Sequence, residues 1–386
     1  MELKTLKRYR LVISLVIGLS APFYSSPVVF AYYPFASKEL EVGVTGSAGE
    51  VYDSNITYAK NSKKADLITE LAAGLKATYT GQKTLFDLLL NDKEQIYSKH
   101  STYTNNSQNV RLNYQYERTK YDRIGVTGSF DHYYNPQDFE QAFGRTGGQY
   151  SYITSQTGVS YTRDVSQRLS LTAAAGGGIN ILEKEAGTNS YQLRAGLSGI
   201  YSLSNKWSLL GAYDFNFREF KNGPNTGIHA MTGGTRYYFT DRLFWDGIGG
   251  LSIATGSSGD VKVNPYIETS LNGEIDKKTT AKILFSQKTE TTSYEESLFQ
   301  QWRTSVVLTR QLWARLGANF SAFYGQGKYT ALNQKDDYLG VNGGLSYEIN
   351  EHFKITANYA FTNQTSKPSS NDYTKNVASL RLVGNF

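Results

Sequence analysis

Four histidines, His100, His132, His229 and His352, are the side chains best suited to proton transfer near neutral pH, and their spacing gives no pair that could grip a metal ion. His352 falls in a short polar turn and His229 on an apolar face. His132 stands beside Asp131 and is the best candidate for a base, but a serine partner would have to be found in space. The chain has no cysteine, which excludes thiol catalysis, thiolate zinc sites, covalent haem attachment and disulfides. The run Ala173-Ala-Ala-Gly-Gly-Gly178 lacks the spacing and following helix of a phosphate-binding loop and reads as small strand residues. No enzyme activity, cofactor or metal is expected.

A second set of polar residues recurs at alternate positions among apolar neighbours. It comprises Arg111, Gln115, Glu117, Arg194, Asp214, Arg236, Tyr238, Asp246, Glu268, Lys282, Arg303, Arg315, Asn319, Asn358 and Arg381. Both signs are interleaved. Lining a hydrated channel, such a wall suits a hydrated polymer or small polar solutes better than a selective ion filter. The residues between them explain how they would be held. In Val110–Glu117, Val110, Leu112, Tyr114 and Tyr116 share one parity and the polar residues the other, a period of two that no helix produces. The same pattern recurs at Tyr191–Ser198, Trp207–Phe217, Leu312–Ser321 and Phe353–Phe361. The last stretch, Val377–Phe386, ends the chain on an aromatic residue, with Leu380, Leu382 and Phe386 on its apolar face. Tyr114, Tyr116, Trp207, Phe217, Tyr237, Phe239, Trp245, Phe320, Tyr359 and Phe386 would form interfacial girdles.

Short polar links punctuate these strands at Thr80–Thr84, Lys120–Arg123, Arg163–Arg168, Ser204–Lys206, Thr240–Arg242, Asp276–Lys278, Arg310–Gln311 and Asn350–His352. Looser segments lie between them at Asn180–Ser190, Arg218–Gly227, Thr289–Glu296, Gly325–Asp337 and Gln364–Thr374. Short turns at one end and longer loops at the other are the asymmetry of transmembrane barrels. The spacing predicts an all-β fold, a transmembrane antiparallel up-and-down β-barrel of about eighteen strands, with sixteen acceptable and both termini periplasmic. The last strand would close against one near Leu40–Gly46, hiding two edges that hydrocarbon cannot tolerate. Around Leu85–Tyr97 the run Leu88-Leu89-Leu90 blurs the faces and suggests a bulge.

The start of the chain reads as an export signal: Lys4, Lys7, Arg8 and Arg10, the apolar run Leu11–Leu19, then a short stretch with Pro22 and Pro27 and the cleavage-site pattern Val29-Phe30-Ala31. Residues 1–31 are assigned to a signal peptide, 32–38 to a periplasmic lead-in and 39–386 to the barrel. The leader accounts for +3 of the formal net charge of +6, so the basic balance is no argument for nucleic acid. Thirty tyrosines and 36 glycines against 7 prolines fit a barrel whose membrane signal is alternation.

Val51-Tyr-Asp-Ser-Asn-Ile56, then Lys64-Ala-Asp-Leu-Ile-Thr69 leading to Tyr79-Thr-Gly81, resembles the start of the putative beta-barrel porin 2 family. Ser370-Asn-Asp-Tyr-Thr-Lys-Asn-Val377 running into Leu380–Phe386 is similar to that family's final loop and strand. The resemblance implies a Gram-negative outer-membrane barrel, with members linked to exopolysaccharide or capsule export. Its implied partners are the outer-membrane lipid bilayer, the barrel assembly machinery reading the terminal aromatic strand, and periplasmic polysaccharide-export components. Two alternatives remain, the sheath of a porin–cytochrome electron conduit and a general diffusion porin.

Overall fold

The computed structural model describes residues 39–386, apart from 135–149, 183–187, 222, 224, 257–260, 293–296, 330–333 and 368–370. The export signal of residues 1–31 and the lead-in of residues 32–38 lie outside the described residues. The chain forms eighteen strands: β1 (Leu40–Asp53), β2 (Asp66–Thr80), β3 (Thr84–Tyr97), β4 (Asn105–Glu117), β5 (Asp122–Tyr133), β6 (Tyr152–Asp164), β7 (Leu169–Leu182), β8 (Ser190–Ser202), β9 (Trp207–Phe220), β10 (Thr226–Thr240), β11 (Leu243–Thr255), β12 (Val261–Asp276), β13 (Thr279–Thr292), β14 (Ser297–Trp313), β15 (Leu316–Tyr329), β16 (Gln334–Glu348), β17 (Phe353–Lys367) and β18 (Tyr373–Asn385). Each pairs antiparallel with its neighbours in sequence, and β1 pairs with β18, so one sheet closes on itself.

Closure follows from what the strand faces must meet. Met231, Leu251 and Leu197 keep 62%, 57% and 55% of their surface exposed on the outer face, which only an apolar solvent could cover. In such a solvent every backbone N–H and C=O needs a partner within the sheet, and an open edge would leave a row of them without one. Thr45 to Asp53 of β1 satisfy the edge of β18 from Asn385 to Val377, and Val44 and Phe386 exchange two further backbone bonds of 2.6 and 2.8 Å. The partner of the last strand is therefore the second half of β1, displaced from the expected Leu40–Gly46. The first residues of β1 run past the end of β18 and pair only with β2.

Three further expectations are corrected. The strands span 12 to 17 residues, longer than a membrane crossing needs, so they extend into the looser segments predicted as loops. The expected Arg310–Gln311 turn lies instead at residues 314–315. A register shift between Gln311 and Trp313 carries β14 onward, and the Gln311 amide donates to the Trp313 and Ala314 carbonyls (2.7 and 3.3 Å). No bulge interrupts Leu85–Tyr97: β3 keeps an unbroken register on both sides, and Leu85 and Leu89 simply stand on the inner face. The other bulges cluster at short turns. Gly273, with φ of +139°, lies just before the shift between Glu274 and Asp276, and a Cβ there would lie 1.8 Å from the Arg242 carbonyl oxygen.

Candidate functional site: the lumen and its narrowed mouth

Because the outer parity is apolar, the other parity faces the lumen. Arg111, Gln115 and Glu117 on β4, Arg194 on β8, Asp214 on β9, Arg236 and Tyr238 on β10 and Asp246 on β11 all stand on it. So do Glu268, Lys282, Arg303, Asn319, Asn358 and Arg381 on β12, β13, β14, β15, β17 and β18. Arg315 does not, because it lies in the turn after β14, where its guanidinium donates to the Ile349 carbonyl at 3.1 Å.

Four of these charged residues, Arg111, Arg236, Asp246 and Arg381, are neutralised across the strands. Arg236 donates from Nε and Nη2 to the two oxygens of Asp246, directly opposite, at 2.7 and 2.8 Å, and its guanidinium lies 4.4 Å from the Phe244 ring centre. Arg111 donates to both oxygens of Asp131 at 2.8 Å. Arg381 reaches Glu70 at 2.8 and 2.5 Å, where Gln95 also donates. Arg303 stacks over Phe323 at 4.2 Å. Amides fill the space between pairs: Gln192 donates to Asn216, and Asn319 and Asn358 flank Gly344 so closely that a Cβ there would touch both. The sequence reading missed Glu70 and Asp131, although the strand period alone places both on the inner parity.

The loop-bearing end is narrowed by a feature the sequence reading did not contain. Pairing between β12 and β13 runs from the Asp276 turn to Ile267 opposite Gln287 and stops there. Above that level β12 follows β11 alone and β13 follows β14 alone. The ends of β13 and β14 turn into the barrel, and faces that began on the outer parity come to lie against the inner wall. Leu298 packs with Ile228 and Ala254 of β10 and β11, Gln300 donates to Asn264 at 2.6 Å, and Arg218 donates to the Thr291 carbonyl at 2.9 Å. Phe299, facing the other way, joins Tyr329, Tyr338, Tyr373 and Tyr58. Adjacent residues of one strand thus reach packing partners on two sides of the mouth.

Tyr58 belongs to the segment between β1 and β2, which is held over the same end. Asn55 donates to the Thr374 carbonyl at 3.1 Å, Lys60 pairs with Asp372 at 2.7 Å, and Lys375 pairs with buried Asp53 at 2.7 Å while lying 3.9 Å from the Tyr58 ring centre. The two stretches that carried the family resemblance, at Val51–Ile56 and Ser370–Val377, therefore meet across the barrel's closing seam. Beneath the mouth, Lys288 pairs with Glu290 at 2.6 Å and Gln301 donates to Glu290 at 2.5 Å, within electrostatic reach of Arg194, Tyr266 and Glu268.

His132 and Asp131, adjacent in sequence, point to opposite faces and form no dyad. His132 is on the outer parity at the rim, with Nδ1 2.9 Å from Gln108 Oε1 and Nε2 3.1 Å from Ser151 Oγ, tying β4 and β5 to the start of β6. His229 is likewise outward, 2.7 Å from the Tyr213 hydroxyl. Among the described residues no cluster of histidine and acidic side chains could hold a metal ion.

Residues 264–386 match the model of the family described as putative beta-barrel porin 2, the family the sequence resembles. No curated protein matches the chain. Among solved structures, OccAB3 of Acinetobacter baumannii is 12% identical with a TM-score of 0.50, over 91% of this chain and 100% of that one. OccK2 (OpdF) of Pseudomonas aeruginosa, in complex with glucuronate, is 8% identical with a TM-score of 0.49, over 90% of this chain and 99% of that one. The fold and the matched family are those of porin-like barrels of the outer membrane.

Proposed function

We propose, for a chain whose residues 264–386 match the beta-barrel porin 2 family, that it is an outer-membrane pore serving as the passive outlet of an exopolysaccharide export system. In this reading the short turns and both termini face the periplasm, after removal of residues 1–31, and the loop-bearing end faces outward. Assembly machinery would read the terminal strand with Leu380, Leu382 and Phe386, whose outward apolar side chains end at Phe386 against Phe353.

The observation that carries the reading is the inward turn of β13 and β14 over a lumen crossed by the ion pairs of Arg111, Arg236 and Arg381. A wall of neutralised pairs, amides and tyrosines offers a polyhydroxylated chain many exchangeable hydrogen bonds without holding any one sugar tightly. A mouth narrowed from within suits an outlet that opens when cargo or a partner arrives. Lys288, Glu290 and Gln301 would be the last groups the polymer meets before the mouth. Transport partners would supply the energy, since the sequence carries no phosphate-loop motif.

The test is made in cells. A deletion strain should lose surface polysaccharide and regain it with the wild-type chain. A cysteine pair replacing Ile228 and Leu298, introduced into a chain that has none of its own, should restore export only under reducing conditions. Polysaccharide persisting in the deletion strain, or equal export from the oxidised and reduced pair, would refute the proposal.

A further inference from the structure

On the strands of the loop-bearing end, the outward lysines among the described residues stand in one place. Above the apolar belt, the outward strand positions among the described residues hold three lysines, Lys328 on β15, Lys335 on β16 and Lys367 on β17. They are not scattered around the rim. Lys328 stands directly opposite Lys335, and Lys335 directly opposite Lys367, so the three form one row across adjacent strands. All are exposed. Like charges directly opposite on a sheet destabilise it, because Cβ atoms there are only about 5 Å apart. Such a row is tolerated where an anion bridges it.

No acidic side chain supplies that anion. None of the three forms an ion pair among the described residues, and Asp337, one step below on the same face, accepts from Gln326. The other outward carboxylates of this end among the described residues stand on other strands: Asp92 and Glu94 on β3, engaged by Asn106 and Gln108, and Glu219 on β9, opposite Tyr191. The height of the row indicates what does. Along these strands the outer face is apolar up to Tyr324, Leu339 and Phe361, then polar at Gln326, Asp337 and Thr365, then basic. Tyr324 and Leu339, directly opposite each other, mark the upper edge of the hydrocarbon. The lysines lie four residues further up, about 13 Å of strand before any tilt, and their long stems can lower the ammonium groups toward that edge. This is the level of lipid headgroups.

We propose that Lys328, Lys335 and Lys367 form a binding site for an outer-leaflet glycolipid phosphorylated on its sugar headgroup. The inference rests on the reading that this end of the barrel faces outward. Three ammonium groups in a line match two or more phosphates on a rigid sugar, each lysine donating to phosphate oxygens as a flexible point charge. Gln326 and Thr365, beneath them on the same face, offer hydrogen bonds to the sugar hydroxyls.

The experiment compares the folded wild-type barrel with the triple variant K328Q/K335Q/K367Q and with a control, K120Q/K206Q/K278Q, at the short-turn end. Binding of bisphosphorylated lipid A, of its dephosphorylated form and of phosphatidylglycerol is measured in detergent by native mass spectrometry. Because it needs neither membrane orientation nor a conducting pore, its failure is distinct from failure of the export reading. Wild type and control should bind bisphosphorylated lipid A about a hundredfold more tightly than the triple variant, and binding should fall steeply with salt. In lipid-free detergent the triple variant should be at least as resistant to unfolding as wild type, since its repulsion is relieved, which a purely structural row would not show. Equal binding by wild type and triple variant would overturn the proposal. So would wild-type binding that survives dephosphorylation, or that is matched by phosphatidylglycerol.

Discussion

Asp372 holds the segment after β1 to the rim with one carboxylate. Lys60 donates to it at 2.7 Å and the Ser366 backbone N–H at 2.6 Å. Partial burial pushes its pKa up, but the Lys60 hydrogen bond and the Ser366 N–H outweigh this and hold the carboxyl below its ordinary value. A depressed folded pKa means the contact's contribution is present above the unfolded value and is lost as pH falls through the folded one. Acidification below about pH 4 should therefore release the segment carrying Tyr58, and hydrogen exchange at residues 54–65 should rise there. Asp372→Asn should show that faster exchange already at neutral pH and little further change on acidification. Unchanged protection in the variant would show that other contacts hold the segment. Single residues of this kind were only partly legible in the sequence. The strand period placed Arg111, Arg236 and Asp246 on the inner wall, but did not show that Asp246 pairs with Arg236 or that Asp131 cancels Arg111.

Among the elements, β12 and β13 show most clearly what the sequence contained and what was overlooked. Strand existence and facing at Val110–Glu117 or Phe353–Phe361 followed from alternation alone, because a side chain must meet either lipid or lumen. The inward turn at Lys288–Phe299 broke that rule, since both faces there meet protein. Pro265 was the available signal, because a strand proline lacks the ladder N–H and is at home on an edge. Ser252 Oγ donates to the Asn264 carbonyl, so the peptide groups of residue 264 face β11 and those of Pro265 face the side where β13 has departed. The inward seat is weakly held. Burying Leu298 contributes about 2 kcal/mol. Against it, Asn264 Nδ2, Thr291 Oγ1 and Gln301 Oε1 are buried without a protein partner, and such groups cost about 1–3 kcal/mol each. Pro265→Val restores a donor facing β13 and should draw the strand back into the wall. Continued in register, Val263 would come opposite Thr291. A cysteine pair at 263 and 291 should cross-link faster in the Pro265→Val background, and equal rates in both backgrounds would count against a movable seat.

At the scale of the whole molecule, the number of strands, their order and the closure of β1 on β18 were legible because hydrocarbon permits so few ways to satisfy a backbone. Strand length was less so. The sequence pattern marked the membrane belt, whereas the wall continues beyond it into the rim that carries the mouth and the lysine row. A barrel of eighteen strands is wide enough for an aqueous channel, so its conductance depends on what fills it. The central claim is that the ends of β13 and β14 set that conductance. It is tested most directly by single-channel recording of the Ile228→Cys/Leu298→Cys pair in planar bilayers, oxidised and then reduced in the same membrane. Oxidised channels should stay in a low-conductance state, and reduction should release openings like those of wild type, at least severalfold larger. Large openings in the fully cross-linked channel would contradict the account.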